Sequence, residues 1–164
     1  MPILSSDDVD FLSRSAEQTR RLGVRLGVLL EPGDVICFTG DLGSGKTTFV
    51  QGLAKGWGTL DPVSSPTFVL VNQYRRPEGG TLHHLDAYRI ESIQEAEDLD
   101  IDAMLMNGPL VVEWSERIQR ALPAEYLRIE LTWVADEQRR IFITPVGERY
   151  KKLLQSFRII AFGG

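Results

Sequence analysis

The sequence predicts an α/β fold in which a mixed parallel and antiparallel sheet carries helices on both faces, giving three layers. Three observations support this prediction. Short apolar runs rich in β-branched residues are interspersed with segments whose apolar residues recur at helical spacing. The first such run, residues 35–39, leads directly into a glycine-rich loop and a helical segment. Two later pairs of strand-like runs are separated by short turns, which favours antiparallel hairpins.

The first half of the chain is predicted to run helix, strand, loop, helix. Ser15-Ala-Glu-Gln18 has the spacing of a capping box, and apolar residues recur at helical intervals after it. We therefore predict a helix over residues 16–30, ended by Glu31-Pro-Gly-Asp34. The buried strand at 35–39 follows, and a second helix over residues 47–58 leaves the glycine loop.

The second half is predicted to contain two hairpins and three further helices. In chain order we expect strands at 68–75 and 81–88, an acidic helix from Ser92 to about residue 106, a buried strand at 109–113, a short helix from Ser115, strands at 126–134 and 140–144, and a helix at 148–157. The chain is thus interpreted as one domain over residues 1–157 with a C-terminal tail at 158–164.

Composition predicts a globular protein of the cytoplasm. The 164 residues are 43% hydrophobic and 25% charged, an ordinary globular balance. The net charge of −5 means that tRNA binding would need a local basic patch or a partner that supplies positive charge, and we expect no DNA partner. Cys37 is the only cysteine, which excludes a disulfide framework. The acidic N-terminus is unlike a signal peptide, and no apolar run reaches the roughly 20 residues of a membrane span.

The loop after the first buried strand matches G-x-x-x-x-G-K-[ST], the pattern of a P-loop, so the predicted fold is P-loop NTPase-like. In such a loop, successive backbone N–H groups converge on phosphate at the start of a helix. Lys46 would bridge the β- and γ-phosphates, the Thr47 hydroxyl would bind Mg²⁺, and Thr48 would reach the α-phosphate. The predicted phosphate-binding residues are Gly40, Asp41, Leu42, Gly43, Ser44, Gly45, Lys46, Thr47 and Thr48. The alternative is a glycine-rich turn with a surface lysine.

A P-loop also needs a carboxylate near the metal, and two acids at predicted strand ends are candidates. Glu113 ends the apolar run LVVE and is favoured for Mg²⁺ or for the water that attacks the γ-phosphate. Asp86 ends TLHHLD and would serve the same region, and the pattern does not divide the two roles between these acids. His83 and His84 are adjacent on a strand and face opposite sides, which argues against a shared zinc site. Trp114, directly after Glu113, is a candidate for the lining of the site.

The rest of the sequence narrows the class of nucleotide-binding protein. It contains neither an N-K-x-D string for guanine nor a D-x-x-G switch, so adenine is the better prediction. No clear insertion forms the arginine-bearing lid of a small-molecule kinase. The remaining prediction is an ATPase whose hydrolysis is coupled to another protein. Two alternatives to it stay open. One is a nucleotide-dependent binding module with little turnover, and the other is a kinase for a small metabolite.

Four segments, in this order and at these separations, resemble the TsaE (YjeE) family: GDLGSGKTTFVQGLAKGWG, SPTFVLVNQY, HLDAYRI and VVEW. The resemblance spans nearly the whole chain. It implies a small ATPase that uses ATP and Mg²⁺ and works with the TsaD and TsaB proteins. Their product is N6-threonylcarbamoyladenosine at position 37 of ANN-decoding tRNAs. It also implies that tRNA is reached indirectly, through the complex, which suits the acidic net charge.

The resemblance also assigns roles to individual residues of the catalytic centre. Lys46 matches the phosphate lysine and Thr47 the magnesium threonine. Glu113 matches the magnesium carboxylate, and Asp86 matches a catalytic acid. The sequence departs from many members at Ser44, where they have alanine.

Four further residues are placed near the nucleotide by the same resemblance. Thr67 of Ser-Pro-Thr matches a switch-like threonine that senses the γ-phosphate. Trp114 matches a tryptophan close to the nucleotide. Thr19 aligns with a residue near the adenine, and Arg139 is expected to border the base from the late hairpin.

Overall fold

A computed structural model describes residues 7–40, 45–63 and 71–163. The strands are β1 (Val9–Ser13), β2 (Val35–Thr39), β3 (Val71–Arg75), β4 (Thr81–Asp86), β5 (Leu110–Glu113), β6 (Tyr126–Ala135) and β7 (Gln138–Val146). The helices are α1 (Ala16–Gly27), α2 (Lys46–Trp57), α3 (Ile93–Glu97), α4 (Ile101–Asn107) and α5 (Glu148–Phe162), with short 3₁₀ turns at Ser115–Arg117 and Gln119–Ala121.

The strands form one mixed sheet in the order β1-β7-β6-β2-β5-β4-β3. The centre is parallel, because β2 pairs with both β5 and β6, and β4 pairs with β5. The margins are antiparallel, where β3 pairs with β4 and β7 pairs with β6 and β1. The predicted mixed sheet with two hairpins is therefore confirmed. The carboxyl ends of β2, β5 and β4 lie side by side at one edge, where α/β sheets bind ligands.

Both faces of the sheet are covered, which confirms the three-layer prediction. On one face, Leu26 of α1, Leu53 of α2 and Phe157 of α5 share an apolar cluster with Ile36 and Phe38 of β2. The neighbouring residues of β2 point the other way and pack with α3 and α4; this second cluster includes Val35, Cys37, Ala96 and Ile101. Burial on both sides explains why the β2 sequence is a continuous apolar run. None of the helices within the described ranges has the length and apolarity needed to cross a membrane.

Facing glycines bring α1 and α2 into backbone contact. Gly23 and Gly27 lie one turn apart on α1, and Gly52 and Gly56 do so on α2. A Cβ atom on Gly52 would lie 2.1 Å from the carbonyl oxygen of Arg20, and one on Gly27 would lie 2.2 Å from the carbonyl oxygen of Leu53. Side chains larger than hydrogen do not fit at these positions. The contact fixes the position of α2, and the first turn of α2 follows directly after the glycine loop.

At the flanks of the domain, the structure differs from the sequence prediction in three places. β1 was missed, because a strand of five residues whose polar residues, Asp10 and Ser13, are three positions apart gives little alternation. The first helix ends at Gly27 rather than residue 30, and Leu30 is buried beyond it. The last helix continues to Phe162, so residues 158–162 of the predicted tail are helical, with Phe162 packed on Phe11 and Phe157.

The acidic helix predicted from Ser92 is two helices. The chain breaks between α3 and α4, where Asp100 has a φ of 55° in the left-handed region. The break lets both short helices turn an apolar residue inward, Ala96 from α3 and Ile101 from α4. The short helix predicted at Ser115 is a 3₁₀ turn.

Asp34 ties α5 to the turn before β2. Its carboxylate, buried at 4% exposure, accepts from Arg149 at 3.0 Å and 2.8 Å and from the backbone N–H of Glu31 at 2.7 Å. This hydrogen-bonded carboxylate raises the pKa of Arg149 above its usual value. Next to Arg149, the Tyr150 hydroxyl accepts from the Val35 N–H at 2.8 Å, so the start of α5 is held at two points.

Asp34→Ala is expected to lower the free energy of unfolding by about 1 to 3 kcal/mol, because it removes the buried partner of Arg149, which keeps only Glu31 at 3.5 Å and the Leu29 carbonyl, and leaves the Glu31 N–H without its acceptor. Denaturant unfolding followed by circular dichroism measures the loss. Lys151→Ala is the control, since it removes only an exposed ion pair to Glu148 at 3.3 Å and should cost less than about 0.5 kcal/mol. Equal losses in the two variants would contradict the role given to Asp34.

Candidate active site

Three adjacent strand ends bring the predicted carboxylates to the glycine loop. In the parallel register, Phe38 of β2 is opposite Glu113 of β5, and Glu113 is opposite Asp86 of β4. Thr39 and Gly40 follow Phe38 and lead into the loop. Glu113 thus lies one strand from the loop and Asp86 one strand further. Both candidate acids therefore lie at the sheet edge where β2 leads into the glycine loop.

The described ends of the glycine loop are Gly40 and Gly45, and Gly45 precedes the first turn of α2. Gly40 has a φ of 135° and Gly45 a φ of 99°, conformations that favour glycine. Lys46 is buried, and its Nζ donates to the carbonyl oxygen of Gly40 at 2.7 Å. Thr47 and Thr48 follow in the first turn of α2 and are half-buried. The predicted residues Asp41, Leu42, Gly43 and Ser44 lie outside the described residues.

The two acids occupy different surroundings. Glu113 is buried at 6% exposure, and its Oε2 lies 2.7 Å from Nε2 of His84, whose side chain is fully buried. Asp86 is half-buried, and its Oδ1 accepts from the backbone N–H of Tyr88 at 2.9 Å. Each carboxylate is therefore in hydrogen-bond contact with a neighbouring group.

Trp114 lines the site in a strained conformation. Its φ is 58°, in the left-handed region that bulky residues avoid. The indole lies 5.1 Å from Lys46 Nζ and 5.0 Å from the ring of Tyr88, measured to ring centroids. Strain of this kind concentrates at functional sites. The placement brings the predicted Trp114 together with Lys46 and Glu113.

A cavity of about 440 Å³ opens beside Lys46 and Trp114. Its far wall is the exposed face of β6, with Arg128, Glu130 and Thr132. Sequence reasoning missed these residues as site residues. A signal for them was present in the sequence: in the strand predicted at 126–134, every second side chain lies on the same face, so Arg128, Glu130 and Thr132 are neighbours.

Thr19 and Arg139 lie on the side of the sheet where α2 begins. Thr19 is buried, and its Oγ1 lies 2.6 Å from Oγ of Ser13. Ser13 on β1 is opposite Arg139 on β7. The Cγ of Arg139 would lie 3.5 Å from a Cβ built on Gly45, so the arginine side chain borders the loop. Thr67 lies outside the described residues.

The donor set fits a nucleoside triphosphate with Mg²⁺. A buried ammonium, a threonine hydroxyl and two carboxylates provide the positive charge and the hard oxygen ligands that these groups require. Thr39 Oγ1 is buried at the mouth of the loop without a hydrogen-bond partner in the described part of the chain. No cluster of three or more His, Cys, Asp or Glu side chains occurs among the described residues. Mg²⁺ is usually held by one or two protein ligands with phosphates and water, so it needs no such cluster.

Comparison with known proteins gives the family. The model of "Threonylcarbamoyl adenosine biosynthesis protein TsaE" matches residues 13–141, most of the chain. The chain belongs to the TsaE family. The match covers the glycine loop, both strand-end acids and Arg139, and it confirms the resemblance. The role of this family is in tRNA threonylcarbamoyladenosine biosynthesis, and the chain shares that role as a member.

Individual TsaE relatives agree over most of their length. The tRNA threonylcarbamoyladenosine biosynthesis protein TsaE of Bacillus subtilis strain 168 is 40% identical over 141 residues, covering 85% of this chain and 87% of that protein. The protein of the same name from Nostoc sp. is 43% identical over 135 residues, with coverage of 79% and 81%. The crystal structure of YdiB from Bacillus subtilis superposes with a TM-score of 0.74 at 31% identity, covering 92% of this chain and 93% of that one.

Proposed function

We propose that this TsaE family member is a cytoplasmic, Mg²⁺-dependent ATPase. Its hydrolysis supports TsaD and TsaB in forming N6-threonylcarbamoyladenosine at position 37 of ANN-decoding tRNAs. One observation carries the proposal. The described start of a P-loop helix, with its buried lysine, shares one sheet edge with two strand-end carboxylates. This combination serves phosphoryl transfer to water, where positioning and charge supply most of the catalysis.

Each residue has a defined task in this proposal. The Lys46 ammonium offsets charge between the β- and γ-phosphates, and the N–H groups at the start of α2 hold phosphate oxygens. Thr47 and Glu113 would hold Mg²⁺, which when bound neutralises charge on the phosphate oxygens. Asp86, one strand further from the loop, is assigned to orienting the attacking water. Trp114 and Arg139 border the nucleotide.

The acidic chain is proposed to reach tRNA through its partners. The net charge of −5 disfavours general attraction to a polyanion, so TsaD and TsaB would supply the tRNA contacts. Phosphate release measured with and without TsaD and TsaB tests the coupling. Stimulation by the two partners is expected. Unchanged release, with ATP still required for complex formation, would favour the binding module instead.

One observation gives the binding module some support. Arg117, the arginine nearest to Glu113 in sequence, is exposed, and its guanidinium lies 5.2 Å from the centroid of the Tyr88 ring. No hydrogen bond or ion pair among the described residues directs Arg117 to the strand-end acids, whereas an arginine finger, which usually supplies a large part of phosphoryl-transfer catalysis, must point at the phosphates. The metabolite-kinase alternative predicts transfer of labelled γ-phosphate to a small molecule. Release of all the label as inorganic phosphate would exclude it.

Lys46→Ala is expected to weaken ATP binding by about 10- to 100-fold, because a charge-assisted hydrogen bond contributes about 1.5 to 3 kcal/mol. Isothermal titration calorimetry with ATP and Mg²⁺ measures the change. Lys55→Ala is the matched control, since Lys55 lies on the exposed side of the same helix and should leave affinity unchanged. Wild-type affinity in Lys46→Ala would contradict the assignment.

A further inference from the structure

A chain of polar side chains, half-buried at Asn72 and buried from Tyr74 onward, leads from the edge of the sheet to Glu113. Asn72 Nδ2 lies 3.4 Å from the Tyr74 hydroxyl, which lies 3.2 Å from Nδ1 of His84. Nε2 of His84 lies 2.7 Å from Oε2 of Glu113. The four residues span β3, β4 and β5, three neighbouring strands. We propose that His84 is a positioning residue for the Glu113 carboxylate and that Tyr74 fixes which ring nitrogen of His84 carries the proton.

The direction of the hydrogen bonds follows from what each group can donate. An ionised Glu113 only accepts, so Nε2 of His84 donates to it. The Asn72 amide donates to the Tyr74 oxygen. In this proposal the tyrosine O–H donates to Nδ1 of His84, so that both ring nitrogens are engaged and the ring proton is on Nε2.

The alternation of β4 separates the two histidines. Leu82, His84 and Asp86 share the face that belongs to the cluster with α2, so His84 and Asp86 lie on the side of the glycine loop. His83 is on the opposite face; burial lowers its pKa, and its Nδ1 has no partner in the described ranges. The adjacent histidines therefore have different environments. His83 is a matched control for His84.

The orientation of the Glu113 carboxylate depends on its protein neighbours, because little solvent reaches it. Its carboxylate is buried, and a buried charge without a donor is costly. Partners that orient a metal-binding carboxylate typically contribute about 10- to 100-fold to metal affinity or activity. This inference rests on the proposed function, because His84 would affect turnover through the cation held at Glu113.

The first test compares variants in the full-length chain. His84→Ala should lower kcat for ATP hydrolysis by about 10-fold or more, and should raise the Mg²⁺ concentration needed for half-maximal rate. His84→Gln, whose amide can still donate to Glu113, should restore most of the rate. His83→Gln should keep the wild-type rate. In a Glu113→Gln background, His84→Ala should cost little further activity, because the two residues act as a unit.

The second test needs neither nucleotide nor turnover. Nitrogen NMR of the histidine rings in the nucleotide-free protein should show His84 protonated at Nε2 and unprotonated at Nδ1. Tyr74→Phe should shift the Nδ1 resonance, and Glu113→Gln should shift the Nε2 resonance, while the His83 signals stay in place. A ring protonated at Nδ1 instead, or resonances that ignore both variants, would overturn the hydrogen-bonded chain.

The two tests separate failure of this inference from failure of the proposed function. If no variant, including wild type, hydrolyses ATP with TsaD and TsaB present, the ATPase proposal fails and the positioning role fails with it, whatever the NMR shows. If wild type hydrolyses ATP but His84→Gln loses as much activity as His84→Ala, or His83→Gln loses as much as His84→Ala, the positioning role alone is wrong.

Discussion

Glu113→Gln is expected to lower kcat for ATP hydrolysis by about 100-fold while changing the dissociation constant for ATP by less than about threefold. The substitution keeps the size of the side chain and its acceptor oxygen for His84, but it removes the negative charge at the end of β5. The phosphate contacts come from the glycine loop and Lys46, so ground-state binding is largely preserved. Steady-state phosphate release and calorimetry with a non-hydrolysable ATP analogue measure the two quantities.

Glu97→Gln is the control for the loss of one acid, because Glu97 is exposed on α3. It should hydrolyse ATP at the wild-type rate. Asp86→Asn, measured beside Glu113→Gln, distinguishes the residue that orients the attacking water from the residue that holds Mg²⁺. A loss of kcat with unchanged Mg²⁺ dependence is expected for Asp86, and a changed Mg²⁺ dependence is expected for Glu113. Wild-type turnover in Glu113→Gln would show that the cation is held elsewhere.

Gly52→Ala is expected to lower the free energy of unfolding by about 2 to 3 kcal/mol, although alanine is intrinsically the better helix former by about 1 kcal/mol. The added methyl would lie 2.1 Å from the carbonyl oxygen of Arg20, and that oxygen belongs to the backbone of α1. The two helices must therefore separate. Thermal unfolding should show a Tm lower by about 5 to 10 °C.

Arg21→Ala, at an exposed position of α1, is the control and should change the free energy of unfolding by less than about 0.5 kcal/mol. The double variant Gly27→Ala/Gly52→Ala should lose less than the sum of the single losses, because helices already separated by one methyl accommodate the second more easily. A Gly52→Ala protein as stable as wild type would contradict the close packing of α1 and α2.

The sequence predicted the parts of the fold that depend on local pattern. β2 was placed at its observed bounds because both of its faces are buried and the run is continuously apolar. The break between α3 and α4 was not predictable from the capping box at Ser92, because it depends on where Ala96 and Ile101 meet the sheet. β1 depends on pairing with β7 and has little pattern of its own.

The candidate site was predictable to a similar extent. The P-loop pattern and the strand-end positions indicated Lys46, Asp86 and Glu113 without knowledge of strand order. The contact of His84 with Glu113 required the parallel register of β4 and β5, which joins residues 29 apart in the chain. The cavity wall on β6 required β6 to be the other neighbour of β2. Sequence spacing alone carries no information on that adjacency.

A crystal structure with Mg²⁺ and a non-hydrolysable ATP analogue would show where the triphosphate and its cation bind. We expect phosphates at the start of α2 within reach of Lys46 Nζ, and a cation between the phosphates, the Thr47 hydroxyl and the Glu113 carboxylate. A nucleotide bound away from the carboxyl ends of β2 and β5, or a cation that neither Thr47 nor Glu113 contacts, would contradict this expectation.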